Sequence, residues 1–230
     1  MPVGVFINVF SVALGGIAGS LAGDKLSQNF KEKMTLIFGL CALAMGITSV
    51  VLMRNMPVVV FSVIVGTLIG SALKLSDRIR GGAEYILTKA KLRMDIDNDL
   101  LLTSIVLFCA SGTGIYGALT SGMTGDHGVL IAKSVLDFFT AMIFACSLRW
   151  SVSLISVPQL VSMLILFYSS KLIFPLTSDS MIADFKACGG VILLATGFSI
   201  MKIKDISIAD MIPVMVIVMP ISWLWTVCFY

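Results

Sequence analysis

Residues 129–148 read VLIAKSVLDFFTAMIFACSL. A helix needs about 20 residues to cross a ~30 Å hydrocarbon core, and this run has that length. Only Lys133 and Asp137 are charged within it. Comparable apolar runs fill 3–23, 35–53, 57–75, 99–120, 152–174, 187–201 and 207–229. The expected fold is therefore all-α: a polytopic transmembrane helical bundle of about eight spans, forming one membrane domain over 1–230. The run 187–201 is short, roughly 23 Å of helix, but Lys186 and Lys202 flank it and can snorkel to the interfaces. If it re-enters instead, seven spans remain.

Composition points the same way. The chain has 230 residues, 58% hydrophobic and 13% charged, with a mean hydropathy of +1.03. Soluble proteins carry about 25% charged residues, and a chain this short has a large surface to wet. That surface must face lipid, which makes membrane lipid the first expected partner. A net charge of +3, confined to the connections, excludes nucleic acid as a partner. Cys41, Cys109, Cys146, Cys188 and Cys228 lie in or beside apolar runs with no CxxC pair. They read as small packing residues, with no disulfide framework or zinc site. The first run lacks a basic leader and stays apolar to Gly23, so it reads as a span and not a cleaved signal.

Lys and Arg set the orientation. Lys25, Lys31, Lys33, Lys74, Arg78, Arg80, Lys89, Lys91, Arg93, Arg149, Lys202 and Lys204 fall in connections on one side, against Arg54, Lys171 and Lys186 on the other. This pattern places both termini in the periplasm. In the longest connection, 76–98, Ile79, Ala83, Ile86 and Ala90 recur at helical spacing among basic residues. An amphipathic helix on the cytoplasmic leaflet is expected there. A second interfacial helix is expected over 177–187, with Met181, Ile182 and Phe185 toward lipid.

Two segments resemble each other. VFSVALGGIAGS (9–20) and VFSVIVGTLIGS (60–71) agree at seven of twelve positions. Each carries a GxxxG pair, Gly15/Gly19 and Gly66/Gly70, a spacing that lets another backbone approach one helix face. Such faces serve equally within a chain or between copies in a homo-oligomer. A weaker echo links GLCALAMG (39–46) to GVILLATG (190–197), which run in opposite directions in this topology.

Polar chemistry enters the membrane in few places. Lys133 and Asp137 are four residues apart, so they share a helix face about 5–6 Å apart at Cβ. Ser134, Thr140, Ala141 and Ser147 share or border that face, and Leu136, Phe139, Ile143 and Cys146 lie opposite. Buried ionised groups pair or face water. The two readings are an ion or substrate contact and a self-satisfied salt bridge; Asp137 is the deeper group, and Lys133 is near enough to the helix end to snorkel. Ser111, Gly112, Thr113 and Gly114 form a small, polar, helix-weakening run inside 99–120. A break there would offer carbonyls and hydroxyls to an ion; the alternative is tight helix packing. Asp126 and the single histidine, His127, follow in an outer loop, as a mouth or a turn. Asn8, and Gln159 beside Pro158, are further intramembrane polar residues of the kind that bond one helix to another. Asp210 and Pro213 are expected to kink and position the last span at the interface.

The chain has no Walker A sequence, no HExxH, and no nucleophile with a partner histidine. One histidine cannot supply a bis-histidine haem site. No enzyme activity, cofactor or metal is expected. IVLFCASGTGIYGA, GMTGDHGVLIAKSVLDFFTAMIFACSL, MIADFKACGGVILLATG and DMIPV resemble the YqgA/YdfK-like family of bacterial inner-membrane proteins, a domain of unknown function. The likeness covers nearly the whole chain. It implies an inner-membrane location and supplies no catalytic or binding residues. One departure is His127, where the pattern has proline after Gly-Asp, which speaks against an essential role for the histidine. Two functions fit. The first is a secondary transporter or channel for a small ion or solute, with a polar site between the spans at 99–120 and 129–148. The second is a non-transport scaffold, lipid-binding or stress-related component.

Overall fold

In a computed structural model the chain is described over residues 1–22, 27–89, 98–109, 111–204 and 206–229. Regular structure there is helical: α1 (Val3–Ala22), α2 (Gln28–Val50), α3 (Met56–Ala72), α4 (Leu75–Lys89), α5 (Asn98–Cys109), α6 (Gly112–Thr124), α7 (Gly128–Leu148), α8 (Ser151–Ile173), α9 (Asp179–Ile200) and α10 (Ile212–Phe229). Short 3₁₀ turns at Phe174–Leu176 and Ile208–Met211 precede α9 and α10.

Among the described residues six helical segments are long and apolar enough to cross a membrane, and a seventh counts if α3 and the start of α4 form one bent span. The difference from eight lies in 99–120. Within the described part of that run the helix is interrupted at Ser111, just before α6 begins at Gly112. Ser111 makes the restart. Its backbone is extended, and its hydroxyl accepts from the Gly114 N–H, so the new helix is N-capped inside an apolar stretch.

One correction concerns 177–201. The expected interfacial helix and the short span are one continuous helix, α9, N-capped by Ser178. Met181 and Phe185 are buried and do not face lipid. The buried stripe runs unbroken from Met181 through Phe185, Cys188 and Ile192, so helical phase carries across the apparent boundary at Lys186. The helix expected in the connection 76–98 is present as α4 over its described part, with Arg78 and Arg80 exposed. Its continuation through 90–97 lies outside the described residues, as does Lys25.

The described residues divide into two compact units, 1–35 with 77–170 and 36–76 with 171–230. In the first, α1 is wedged against α7 and α8 by glycines. A Cβ on Gly15 would stand 2.2 Å from the Phe138 carbonyl oxygen, and one on Gly19 2.1 Å from that of Met142. The ascending register makes α1 and α7 parallel. On its other side Gly16 meets Ser153, whose hydroxyl donates to Ala13 O (3.1 Å). Val12, Leu101, Phe108, Leu148 and Ile155 close the apolar core around this contact.

In the second unit α3 packs on α10 through Gly66 and Gly70, which meet Val214 and the Asp210 carbonyl. Here the register descends, so the pair is antiparallel. The two similar segments 9–20 and 60–71 therefore use the same glycine face on partners of opposite direction. The weaker echo is a mutual contact. A Cβ at Gly39 would meet Gly197 O at 3.0 Å, and one at Gly197 would meet Gly39 O at 2.9 Å; Gly46 and Gly190 are reciprocal in the same way.

Arg149, Lys74 and Lys202 hold positive φ (54°, 49° and 57°) at helix ends. Lys74 and Lys202 take the left-handed position that glycine usually fills. A basic side chain beside the last carbonyls of a helix is electrostatically favourable.

Gly19→Val should therefore force α1 from α7 and lower the melting temperature in detergent by roughly 3–10 °C. Gly81→Ala, where no heavy atom lies within 4 Å, should leave it unchanged or raise it. Equal effects of the two substitutions on thermal unfolding would refute this packing.

Candidate functional site

The first unit gathers polar groups from three helices around Asp137. Asp137 sits nine residues into α7, roughly 13 Å along the helix, and is 7% exposed; Lys133 is 3% exposed. Lys133 does not snorkel. Its Nζ donates to Asp137 Oδ2 across one turn. The same oxygen accepts from Asn8 Nδ2 on α1 (2.9 Å), and Asn8 Oδ1 accepts from Gln159 Nε2 on α8 (2.8 Å). Asn8 and Gln159 are both fully buried. An ionised carboxylate is thus held in an apolar unit by one ammonium and one amide, the arrangement that low-polarity surroundings demand.

The helix break adjoins this cluster. The Lys133 Cε would stand 3.2 Å from a Cβ on Gly114, and the Met163 Cε 3.1 Å from it, so only glycine fits without a shift. Ser162 Oγ donates to Cys109 O, the last carbonyl of α5 (3.4 Å). The first turn of α6 therefore lies beside the ion pair.

Of the residues singled out from sequence, the structure brings together Asp137, Lys133, Asn8 and Gly114. Ser111 caps α6, and Thr113 is buried in its first turn; Gly112 begins the same turn. Asp126 is apart: it is exposed, and its Oδ1 accepts from Gly128 N (2.9 Å) in the turn before α7. His127 Nδ1 shares a 2.6 Å hydrogen bond with Ser121 Oγ, so it is partnered and not simply solvated. On α7 the expected faces need one exchange: Cys146 is buried, and Ser147 is exposed. Asp210 also acts as a brace, its Oδ1 accepting from Ser76 N at 2.9 Å. Among the described residues no group of three or more His, Cys, Asp or Glu side chains is placed to hold a metal.

A second buried carboxylate lay unseen in the segment read as interfacial. Asp184 on α9 is fully buried in the second unit. Its Oδ1 accepts from the backbone N–H groups of Arg54 (3.0 Å) and Asn55 (2.8 Å). Its Oδ2 accepts from Asn55 Nδ2 (2.9 Å) and Ser222 Oγ (2.7 Å). Asn55 Nδ2 also donates to Ser180 Oγ (2.9 Å). One side chain thus ties the α2–α3 connection to α9 and α10. The signal was Asp184 falling in phase with Met181, Cys188 and Ile192.

The chain matches a family profile described as a protein of unknown function, DUF554, over residues 3–223, and it belongs to that family. It is 45% identical over 234 residues to "Uncharacterized protein YqgA" of Escherichia coli (strain K12), covering 100% of both chains. It is 20% identical over 220 residues to "Uncharacterized membrane protein YdfK" of Bacillus subtilis (strain 168), covering 93% of each. No solved structure matches.

Asp184→Ala strands two backbone N–H groups, an amide and a hydroxyl inside the protein. The expected loss is at least about 3 kcal/mol, seen as low yield and early aggregation in detergent size-exclusion profiles. An Asp184→Ala protein as monodisperse and heat-resistant as wild type would exclude this bracing role.

Proposed function

We propose that this member of the DUF554 family is a transporter or channel for a small ion or solute, and that Asp137 is the group the ion exchanges on. The observation that carries the reading is the buried Lys133–Asp137 pair, bonded to Asn8 and set against a helix break. A structural salt bridge needs no such break. Replacing a buried ion pair by well-packed apolar residues is often neutral or stabilising, so a pair kept at this depth fits a functional demand. Lys133 is the resident cation of the carboxylate; an arriving ion or proton competes with it, and the opened turn between α5 and α6 supplies oxygen atoms on the route.

The same reading puts the chain in the bacterial inner membrane, with basic connections in the cytoplasm and both termini in the periplasm. The excess of Lys and Arg on one side supports that orientation. It calls for no enzyme chemistry and no cofactor. Its partners are membrane lipid, the transported species and, through exposed faces, further copies of the chain. The scaffold or lipid-binding alternative has one observation in its favour. The start of α4 is bent 54° from α3 and exposes Arg78 and Arg80, a basic surface suited to anionic headgroups.

Purified protein in proteoliposomes is expected to dissipate an imposed gradient of protons or alkali cations, followed by entrapped dyes. Asp137→Asn, with a normal size-exclusion profile, should reduce the rate at least about tenfold, the scale of losing one charged contact. Unchanged flux in Asp137→Asn removes Asp137 from the pathway. No flux in wild type, together with tight binding to anionic vesicles lost in Arg78→Gln/Arg80→Gln, favours the lipid-binding alternative.

A further inference from the structure

The hydrogen-bond chain around Asp137 has a direction. A carboxylate only accepts, so Asn8 must turn its Nδ2 to Asp137 Oδ2. That fixes Asn8 Oδ1 toward Gln159, which must then donate through Nε2. Gln159 Oε1 is left at the free end. It is fully buried and has no hydrogen-bond partner among the described residues. A buried acceptor without a donor is a net cost to a fold, and here the amide cannot flip to relieve it without breaking the bond to Asn8.

Gln159 lies on the face of α8 that meets the helix break. Gln159, Ser162 and Met163 share one face of α8 by helical spacing. Ser162 bonds the last carbonyl of α5, and Met163 lies against Gly114 in the first turn of α6. Both bonds to the Asp137 carboxylate fall on Oδ2; among the described residues Oδ1 accepts none. The cluster thus has spare oxygen acceptors, one of them on a carboxylate, and its ammonium is already committed.

We propose that Gln159 Oε1 is an oxygen ligand of a site for a small monovalent alkali cation, with Asp137, one side chain away, supplying the negative charge and Lys133 acting as the tethered competitor. The inference rests on the transport reading and names its ion class. Hard cations take oxygen ligands. One carboxylate matches one positive charge, and Lys133 already fills that requirement with a single charge. A divalent ion needs more carboxylates than the described residues bring together. Acceptor oxygens repel an anion.

The test reads binding and not flux. Wild-type protein in detergent is heated in lithium, sodium or potassium chloride, with choline chloride at equal ionic strength as reference. An alkali cation that binds the folded state raises the melting temperature. At least one of the three should do so. Gln159→Met should shift the half-maximal concentration upward at least about tenfold, and Lys133→Gln should shift it downward. If Gln159→Met does not fold, Gln159→Glu adds charge at the same place and should lower the half-maximal concentration. The proposal is overturned if no alkali cation acts on either wild type or Lys133→Gln. It is also overturned if Gln159→Met, or Gln159→Glu in its place, responds as wild type does. Flux that depends on Asp137 but cation binding indifferent to Gln159 would discard this site and keep the transport reading. Cation binding sensitive to Gln159 without any flux would do the reverse.

Discussion

A carboxylate inside an apolar protein must be matched or neutralised, and two such groups organise this chain. Asp137 is matched by a cation on its own helix and an amide from α1. Asp184 is matched by four neutral donors, two of them backbone N–H groups. The difference is consequential. Asp184 has every lone-pair direction engaged and joins three segments, so its chemistry is spent on holding the second unit together. Among the described residues, Asp137 leaves one oxygen without a donor and polarises a chain of amides that ends in an acceptor without a partner. The first arrangement is closed, and the second is open to a further partner.

The polar contacts depend on how closely the helices approach. Without a hydrophobic driving force between helices in lipid, association rests on packing and interhelical hydrogen bonds. Gly15 and Gly19 let α1 run against the carbonyls of α7, which brings Asn8, two turns earlier, within 2.9 Å of Asp137. Gly114 lets the start of α6 lie on the aliphatic stem of Lys133. The glycine faces and the buried charge are therefore one device: a larger residue at any of these positions moves the groups that match Asp137.

Much of this was legible in the sequence. Run lengths and composition carried the all-helical membrane fold, and the four-residue spacing of Lys133 and Asp137 placed both on one face. The helix-weakening run at Ser111–Gly114 coincides with the break. Two features were not legible. Asp184 and Lys186 interrupt hydropathy within 179–200, so a hydropathy criterion began the span too late to include Asp184, although Met181, Phe185 and Cys188 keep helical phase across it. The partnership of Asn8 with Asp137 depends on a parallel α1–α7 contact between segments 129 residues apart, and no local pattern encodes that. Ser147 and Cys146 were misassigned because one-residue shifts in helical phase decide such positions.

The central claim is that Asp137 is an exchangeable site and not a static ion pair. Difference infrared spectroscopy of the reconstituted protein, on exchanging choline for an alkali cation, observes the carboxylate itself. The account predicts a shift in a carboxylate stretching band that is present in wild type and absent in Asp137→Asn. A spectrum in which no carboxylate band responds, or one whose response survives in Asp137→Asn, would contradict it.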